Sequence, residues 1–339
     1  MPRFFIRQFT KPGDVVFDAW SGRGTVALEA LLNDRIGIGN DRAPDAYTLT
    51  KAKVNPITLK RAVSFLDSLE SEAEKVELDE ELTELDRKAE IFYSAKTFGQ
   101  LRIIRELLKE DTSNEANFIK AVMLGLLHGK ATAALSLTCS HSYSMSPNYV
   151  KKYAKEHKLR RPTKDVISEL KRRSEIVLKS KLPKLRGKAY RDDSRKLSLD
   201  DESVNMIFSS PPYFNVQTYA WCNWLRLWFL GYDYREVRKD LCESGSEKVY
   251  ADFMKASLAE LYRVLKDNGR CFIVAGDVTI GRDTKKLVNT IEFLTPIFEE
   301  TGFTLEHIFT DSIPSGKRVL TYIEPTEGVK TERIAFLRK

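Results

Sequence analysis

The chain has 339 residues, room for one large domain or two modest ones. Hydrophobic residues make up 42% and charged residues 30%, a balance that can bury a core and excludes wholesale disorder. Net charge is +7 but uneven: residues 151–191 hold ten Lys and six Arg against four acids, a net of +12, while residues 67–90 hold eleven acids against three bases.

The opening segment reads as strand, glycine turn, helix, strand. Lys11-Pro12-Gly13-Asp14 is a turn, and Val15-Val16-Phe17 is a short apolar run of the kind a buried parallel strand shows. Ser21-Gly22-Arg23-Gly24 stops that strand, Thr25 to Leu32 favours helix, and Ile36 to Gly39 reads as a second strand ending at Asn40-Asp41. Residues 57 to about 187 change character, with few glycines and no strand–helix alternation. Leu59 to Ile91 is acidic and amphipathic. Phe98 to Leu108 and Ala116 to Leu135 predict further helices, a polar loop covers Ser136 to Asn148, and the basic helical stretch follows. Alternation then resumes. Val204 to Phe208 is a strand, Tyr250 to Leu265 a helix, Arg270 to Ala275 a strand and Leu287 to Glu300 a helix. Phe303 to Phe309 and Arg333 to Leu337 form a closing strand pair. Such alternation implies an open, mostly parallel α/β sheet. The expected division is a catalytic domain of residues 1–56 and 189–339 with a large, mainly helical insertion at 57–188.

Several chemistries drop out. Cys139, Cys222, Cys242 and Cys271 lack a paired spacing, and the four histidines are scattered. No metal site or disulfide framework is therefore expected, and a reducing interior fits. The longest apolar run, residues 121–137, is interrupted by His128 and Lys130, so no membrane span is expected. The opening Met-Pro-Arg-Phe-Phe lacks signal-peptide features. A cytoplasmic setting follows as an expectation.

Two local patterns carry chemistry. The first is Asp18-Ala19-Trp20-Ser21-Gly22-Arg23-Gly24-Thr25. A strand that ends in Gly-x-Gly and feeds a helix lets backbone approach a ligand closely. Its third small position falls at Ala27, so spacing alone permits a dinucleotide. Asp18 beside the turn would repel a pyrophosphate and suit a cationic cofactor without phosphate, such as S-adenosylmethionine. Asp41, after the second strand, can accept hydrogen bonds from ribose hydroxyls of either cofactor. A plain strand–turn–helix without ligand is equally compatible with this pattern alone.

The second pattern is Ser210-Pro211-Pro212-Tyr213, directly after a strand. Two prolines fix the backbone and remove two N–H donors. A hydroxyl, a run of carbonyls and an aromatic ring remain at the carboxyl edge of the sheet, where open α/β sheets bind ligands. An exocyclic amine offers two N–H donors. Ser210 Oγ and the Pro211 carbonyl can accept one each, with Tyr213 stacked on the ring. The simpler reading is a Pro-Pro loop with Tyr213 in the core.

Together these patterns resemble the amino-methyltransferases that act on DNA. Asp18 to Thr25 looks like their cofactor loop, with Ala19 in place of the usual proline and Trp20 in place of phenylalanine. Residues 2–17 look like their N-terminal cofactor motif, Asp193-Ser194 like their third motif, and Ser210-Pro211-Pro212-Tyr213 like their catalytic motif. Arg263-Val264-Leu265-Lys266 followed by Gly269 is similar to the helix–turn–strand beyond it. The resemblance covers residues 1–56 and 189–339 and implies a Rossmann-like methyltransferase sheet. It implies S-adenosylmethionine held by Asp18, Trp20, Ser21, Gly22, Gly24, Thr25, Asp41 and Asp193. It also implies duplex DNA as partner with the target base flipped out, a prokaryotic or phage-like, nucleoid-associated setting, and in some systems a cognate restriction endonuclease. In this family Ser in the first catalytic position goes mainly with the cytosine N4 amine, and Asp or Asn with the adenine N6 amine. No Pro-Cys occurs, which excludes the cysteine route to ring-carbon methylation.

The candidates for nucleic-acid contact are Arg160, Arg161, Lys171, Arg172, Arg173, Lys184 and Lys188, by charge, and Tyr219, beside the catalytic motif. A charge run is more often a solvated helix face. In the aromatic stretch 219–232, Trp221, Trp224, Trp228 and Phe229 recur at helical spacing and read as core. Adenine N6 methylation of DNA and base methylation of RNA share the fold and remain open. A nucleic-acid-binding protein without activity is the non-enzyme reading, opposed by an intact Ser210-Pro211-Pro212-Tyr213.

Overall fold

The computed structural model describes residues 1–129, 133–138, 146–180, 182–214, 218–280, 286–312 and 331–339. They form two compact units. The sheet unit comprises Met1–Arg42, Pro183–Gln217 and Leu241–Lys339, and the helical unit comprises Ala43–Leu182 and Thr218–Asp240.

Elements are numbered along the whole chain. The sheet unit holds α1 (Pro2–Phe9), β1 (Val15–Asp18), α2 (Thr25–Leu32), β2 (Ile36–Asn40), β3 (Lys188–Tyr190), β4 (Val204–Ser209), α13 (Glu247–Val264) and β5 (Leu265–Gly276). It continues with β6 (Val278–Ile280), β7 (Lys286–Val288), α14 (Thr290–Glu300), β8 (Thr304–Ser312) and β9 (Thr331–Arg338). Seven strands pair in the order β3-β2-β1-β4-β5-β9-β8, and β6 pairs with β7 separately. Strands β3 to β5 of that order run parallel, with Asp18 opposite Gly39 and Phe17 opposite Ile207. β9 is antiparallel to both β5 and β8. This is the open, mostly parallel, Rossmann-like sheet expected from the strand–helix alternation.

The central strands are apolar throughout because both faces are covered. Successive residues point to opposite faces. Val16, Met206, Phe208 and Phe272 meet Phe5 and Ile6 of α1 and Val26 and Ala30 of α2. Phe17, Ile207, Cys271 and Ile273 meet Tyr250 and Leu258 of α13 and Phe298 of α14. α2 crosses β2 so closely that a Cβ on Gly37 would lie 2.1 Å from the Ala27 carbonyl oxygen. The small residue at 27 thus serves helix-to-strand packing, as the third small position of such turns does elsewhere.

The helical unit holds α3 (Pro44–Val54), α4 (Leu59–Ala73), α5 (Glu84–Glu90), α6 (Ala95–Leu108), α7 (Asn114–Leu126), α8 (Pro147–Glu156), α9 (Val166–Leu178), α10 (Tyr219–Cys222), α11 (Trp224–Phe229) and α12 (Tyr234–Asp240). Its core joins Leu66, Phe92, Leu101, Ile119, Leu170, Trp224 and Trp228.

The structure shifts several sequence-based boundaries. The helical unit begins at Ala43, since α3 docks on α7 with Asn117 Nδ2 donating to the Thr48 carbonyl (3.3 Å). It also recruits 218–240, whose Trp224 and Trp228 fill its core. The acidic amphipathic stretch 59–91 holds two helices, α4 and α5. Residues 74–83 carry five acids and one base, a like-charge density that disfavours helix, and the helix restarts at a Thr83–Asp86 capping box. α7 ends at Leu126, short of the expected Leu135, and the chain folds back so that the Leu135 N–H donates to the Leu126 carbonyl (2.8 Å). α14 starts at Thr290, not Leu287, because Asn289 caps it. Lys188, read as part of the basic helical stretch, lies in β3. Most of the polar loop at 136–148 falls outside the described residues. Among the described residues no helix is long and apolar enough to cross a membrane, and no metal-ligating cluster occurs.

Candidate active site

β1 and β4 are neighbours, and the strand order reverses direction at β1. Their carboxyl ends therefore flank a topological switch point, where open α/β sheets place ligands. The glycine turn follows β1 and Ser210-Pro211-Pro212-Tyr213 follows β4.

The turn is built by backbone bonds. Gly22 (φ 49°) and Gly24 (φ 70°) both occupy the left-handed region, which glycine enters without a Cβ penalty. The Gly24 N–H donates to the Ser21 carbonyl (2.6 Å), and the Ser21 N–H to the Asn40 carbonyl (2.8 Å). Asp41 Oδ2 accepts the Gly22 N–H at 2.8 Å, so the carboxylate expected to meet a ribose also closes the turn. Buried Asn40 adds a second clasp. Its Nδ2 donates to the Ala19 carbonyl (3.1 Å) and its Oδ1 accepts the Asp192 N–H (2.8 Å). Thr25 is exposed at the start of α2.

Ser209, which the sequence motifs do not single out, joins the two. Its Oγ accepts the N–H groups of Ala19 and Trp20, each at 3.1 Å, and donates to Asp18 Oδ1 at 2.6 Å. One buried hydroxyl thus fixes the base of the glycine turn to the residue before Ser210. Ser210 itself is exposed. The two serines divide the work by the alternation of the strand: one faces the turn, and the other is open to solvent.

Asp18 is 4% exposed. Burial pushes its carboxyl up to about 7, against the Ser209 hydrogen bond, with nearby Asp41 adding to the rise and the Trp20 N–H opposing it. Trp20 Nε1 donates to Ser194 Oγ (3.1 Å), which contacts Ser257 Oγ (2.9 Å). Asp193 is gripped by Arg195, whose Nε and Nη2 donate to its two carboxylate oxygens at 2.9 and 2.6 Å. The Arg195 bond holds the Asp193 carboxyl below its usual range. Tyr213 Oη donates to Glu332 Oε1 on β9 (3.1 Å). Beside it, Arg333 is held by Asp277 through two 3.0 Å bonds. Phe214, Tyr250 and Phe293 form an aromatic cluster with ring centroids 5.3 to 6.2 Å apart.

The cationic candidates have mixed surroundings. Lys171 Nζ pairs with Asp67 and Glu70 of α4, both at 2.8 Å, and Arg172 pairs with Glu169. Arg161 Nε donates to the Ile91 carbonyl (3.0 Å). Arg160, Arg173, Lys184 and Lys188 are exposed. Tyr219 Oη donates to buried Asp45 (3.2 Å) within the helical unit. Part of the basic surplus therefore neutralises the acidic helix. Of the missed residues, Ser209 had one readable sign, its doubling with Ser210 at a strand end. Glu332 had none, since its distance in sequence from Tyr213 hides the contact.

A mostly parallel sheet thus carries a glycine turn after its first strand and a proline-stiffened acceptor rim after its fourth, side by side at its carboxyl edge. Residues 204–319 match the family model described as DNA methylase, of the N6/N4 type. Among solved structures, the chain is similar to TTHA0409 of Thermus thermophilus, provisionally assigned as a DNA modification methylase and solved with S-adenosyl-L-methionine. Identity is 19% and the TM-score 0.29, over 43% of this chain and 51% of that one, so the match spans about half of that protein. A TehB-like S-adenosylmethionine-dependent methyltransferase of Corynebacterium glutamicum matches at 12% identity and TM-score 0.37, over 100% and 87% of the two chains. An S-adenosylmethionine-dependent methyltransferase of Methanosarcina mazei matches at 10% identity and TM-score 0.38, over 99% and 96%. No curated protein matches the sequence.

Proposed function

We propose that this chain is a DNA amino-methyltransferase that uses S-adenosylmethionine and prefers the N4 amine of cytosine. The observation that carries the reading is the Ser209 clasp, which ties the glycine turn to the start of Ser210-Pro211-Pro212-Tyr213. Donor loop and acceptor rim are thereby one residue apart through a hydrogen bond.

The residues fit the cofactor. The Asp18 side chain bonds a neutral hydroxyl rather than a guanidinium or an ammonium, and its carboxyl, raised to about 7 by burial, is the group whose charged form a cationic ligand would stabilise. Around Gly22 a Cβ would meet nothing within 4 Å, which leaves the turn open. Gly22, Gly24 and Asp41 would hold the ligand, with Trp20 offering an aromatic face. When bound, the cofactor supplies an electrophilic methyl group. Ser210 Oγ and the Pro211 carbonyl accept the two N–H groups of the target amine and orient its lone pair. Such orientation is the main source of rate when the leaving group is already good. A duplex base must first leave the stack, at a cost of a few kcal/mol, and Tyr213 offers a stacking face worth about 1–3 kcal/mol. Exposed Arg160, Arg173, Lys184 and Lys188 are the phosphate contacts we assign.

Serine as first residue favours the cytosine amine by the pattern of the family it resembles, and a neutral hydroxyl, a weaker acceptor than Asp, makes the two settings unequal. The test is incubation with S-adenosylmethionine and mixed-sequence DNA or RNA, then nucleoside mass spectrometry. N4-methylcytosine in DNA is expected, and Ser210→Ala should reduce it at least tenfold. N6-methyladenine would replace the base assignment, and product only in RNA would replace the substrate. No product with any of them would overturn the reading.

A further inference from the structure

We propose that α8 is a stacking platform for unpaired bases of single-stranded DNA, its rings Tyr149, Tyr153 and His157 meeting the bases and its lysines the phosphates. The proposal goes beyond the methyl-transfer reading, since it uses neither the glycine turn nor Ser210, and takes from that reading only DNA as the nucleic acid. The three aromatic residues stand four apart, so one helix face carries them all. The Tyr149 and Tyr153 rings stack at 5.8 Å and 18°, and the Tyr153 and His157 rings at 3.9 Å and 24°. Val150 is buried in the core of the helical unit, and Tyr153, Ala154 and Leu159 pack against that core. The middle ring is thereby anchored. A carbonyl only accepts, so His157 Nδ1 donates to the Tyr153 carbonyl (3.0 Å), which holds the imidazole flat on the middle ring.

The end rings are the open ones. Tyr149 is 40% exposed and His157 is exposed, and within the ladder each stacks on one ring only. Each keeps a face for a flat heterocycle. The surrounding charge is cationic: Lys151, Lys152, Lys155 and Lys158 are exposed, against Glu156 alone. Lys152 lies 3.8 Å from Glu156, with both side chains exposed, and among the described residues no acid pairs with the other three lysines. Lys158 holds a place that glycine fills with less strain. It closes the helix in the left-handed region (φ 49°), with the Leu159 N–H donating to the Ala154 carbonyl (2.9 Å). Charge is kept there against local fit. Rings suit bases and lysines suit phosphates, and a nucleic-acid strand presents both along one backbone. An acidic peptide would satisfy the lysines and leave the rings unused. In a duplex the base faces are covered by neighbouring pairs, so the ladder favours unpaired bases.

The test is fluorescence anisotropy of the full chain, without S-adenosylmethionine, on labelled oligothymidylate, on the same strand paired with oligoadenylate, and on oligouridylate. Tyr149 is exposed, so its substitution leaves the core intact. Tyr149→Ala should weaken binding to oligothymidylate by about 5- to 150-fold, the loss of one stacked base, and binding to the duplex by less than about twofold. Tyr149→Trp should bind the strand at least as tightly as wild type, and its added tryptophan fluorescence should be quenched by the strand and not by the duplex. Lys151→Gln combined with Lys155→Gln should instead weaken binding to strand and duplex alike and flatten the salt dependence by about two counterions. Tyr149→Ala at wild-type affinity for oligothymidylate, or with equal losses on strand and duplex, overturns the proposal. Tighter binding of the wild type to oligouridylate overturns the choice of DNA. A Tyr149→Ala chain whose mass in solution falls to half that of wild type gives this face to a second copy and overturns the proposal too. None of these readouts involves methyl transfer, so their failure leaves the functional reading standing, and a wild type that methylates no nucleic acid overturns that reading alone.

Discussion

Asp86 of the helical unit and Asp18 of the sheet unit are both buried carboxylates, and the two have opposite fates. In the helical unit, burial works to raise the Asp86 carboxyl, yet bonds from Thr83 and Trp228 and the charge of Arg105 bring it below its usual range. It accepts from Trp228 Nε1 (2.8 Å), Thr83 Oγ1 (2.7 Å) and Arg105 Nη1 (2.9 Å). In the sheet unit, Asp18 has one hydroxyl and a backbone N–H against the same burial, with a second acid nearby, and its carboxyl rises to about 7. The difference separates a group built to hold a fold from a group left poised. A fully satisfied buried charge is a structural keystone. An under-satisfied one at the carboxyl edge of the sheet is the position we assign to the cofactor.

The comparison breaks first at Asp86. Asp86→Ala leaves the Arg105 charge and the buried Trp228 N–H without an acceptor. Loss of about 3–5 kcal/mol is expected, the range for breaking a buried charged pair. Chemical denaturation followed by tryptophan fluorescence reads it, and hydrogen exchange should place the loss in α5, α6 and α11. A change below about 1 kcal/mol would mean that Asp86 is not a keystone.

A middle-sized effect tests Asp18. Unfolded, its carboxyl titrates near the ordinary 3.8, and folded at about 7. Between these the folded chain keeps a proton that the unfolded chain has released. Its contribution to stability therefore falls as pH rises from about 4 to about 7 and stays low above that. Asp18→Asn keeps an acceptor for Ser209 and never ionises. Relative to this variant, the wild type without ligand should lose at least about 1 kcal/mol between about pH 4.5 and pH 8. Thermal unfolding of both proteins at the two pH values checks it. Parallel pH profiles would place Asp18 in a solvated or paired state and remove the contrast with Asp86.

The sequence made the sheet unit legible because its signals are local. Val15 to Phe17, the glycine turn, and Ser210 to Tyr213 each announce their structure within a few residues, and their order along the chain implies the sheet. What joins them was not legible. Ser209 meets Asp18 across 191 positions, and Glu332 meets Tyr213 across 119; neither pair leaves a periodic trace. Gly37 looked like an ordinary strand residue, although Ala27 permits no side chain there. In the helical unit the charge blocks are plain as composition, but composition does not say what faces them. Part of the basic surplus on α9 turns out to answer the acids of α4.

The smallest effect sharpens that last point. Lys171 is an ion-pair partner of Asp67 and Glu70, with all three side chains substantially exposed. Exposed pairs contribute about 0–1 kcal/mol, so Lys171→Glu should cost no more than about 1 kcal/mol in urea denaturation. Two residues along the same helix, Arg173 is exposed and was assigned above to phosphate. The two cations therefore make opposite predictions. Arg173→Glu should weaken DNA binding and flatten its dependence on salt by about one counterion, with stability unchanged. Lys171→Glu should alter stability slightly and leave the salt slope alone. Fluorescence anisotropy with a duplex at several salt concentrations distinguishes them. Equal slopes for both variants and wild type would confine this face of α9 to holding α4, and would move the DNA contacts to Lys184, Lys188 or elsewhere on the chain.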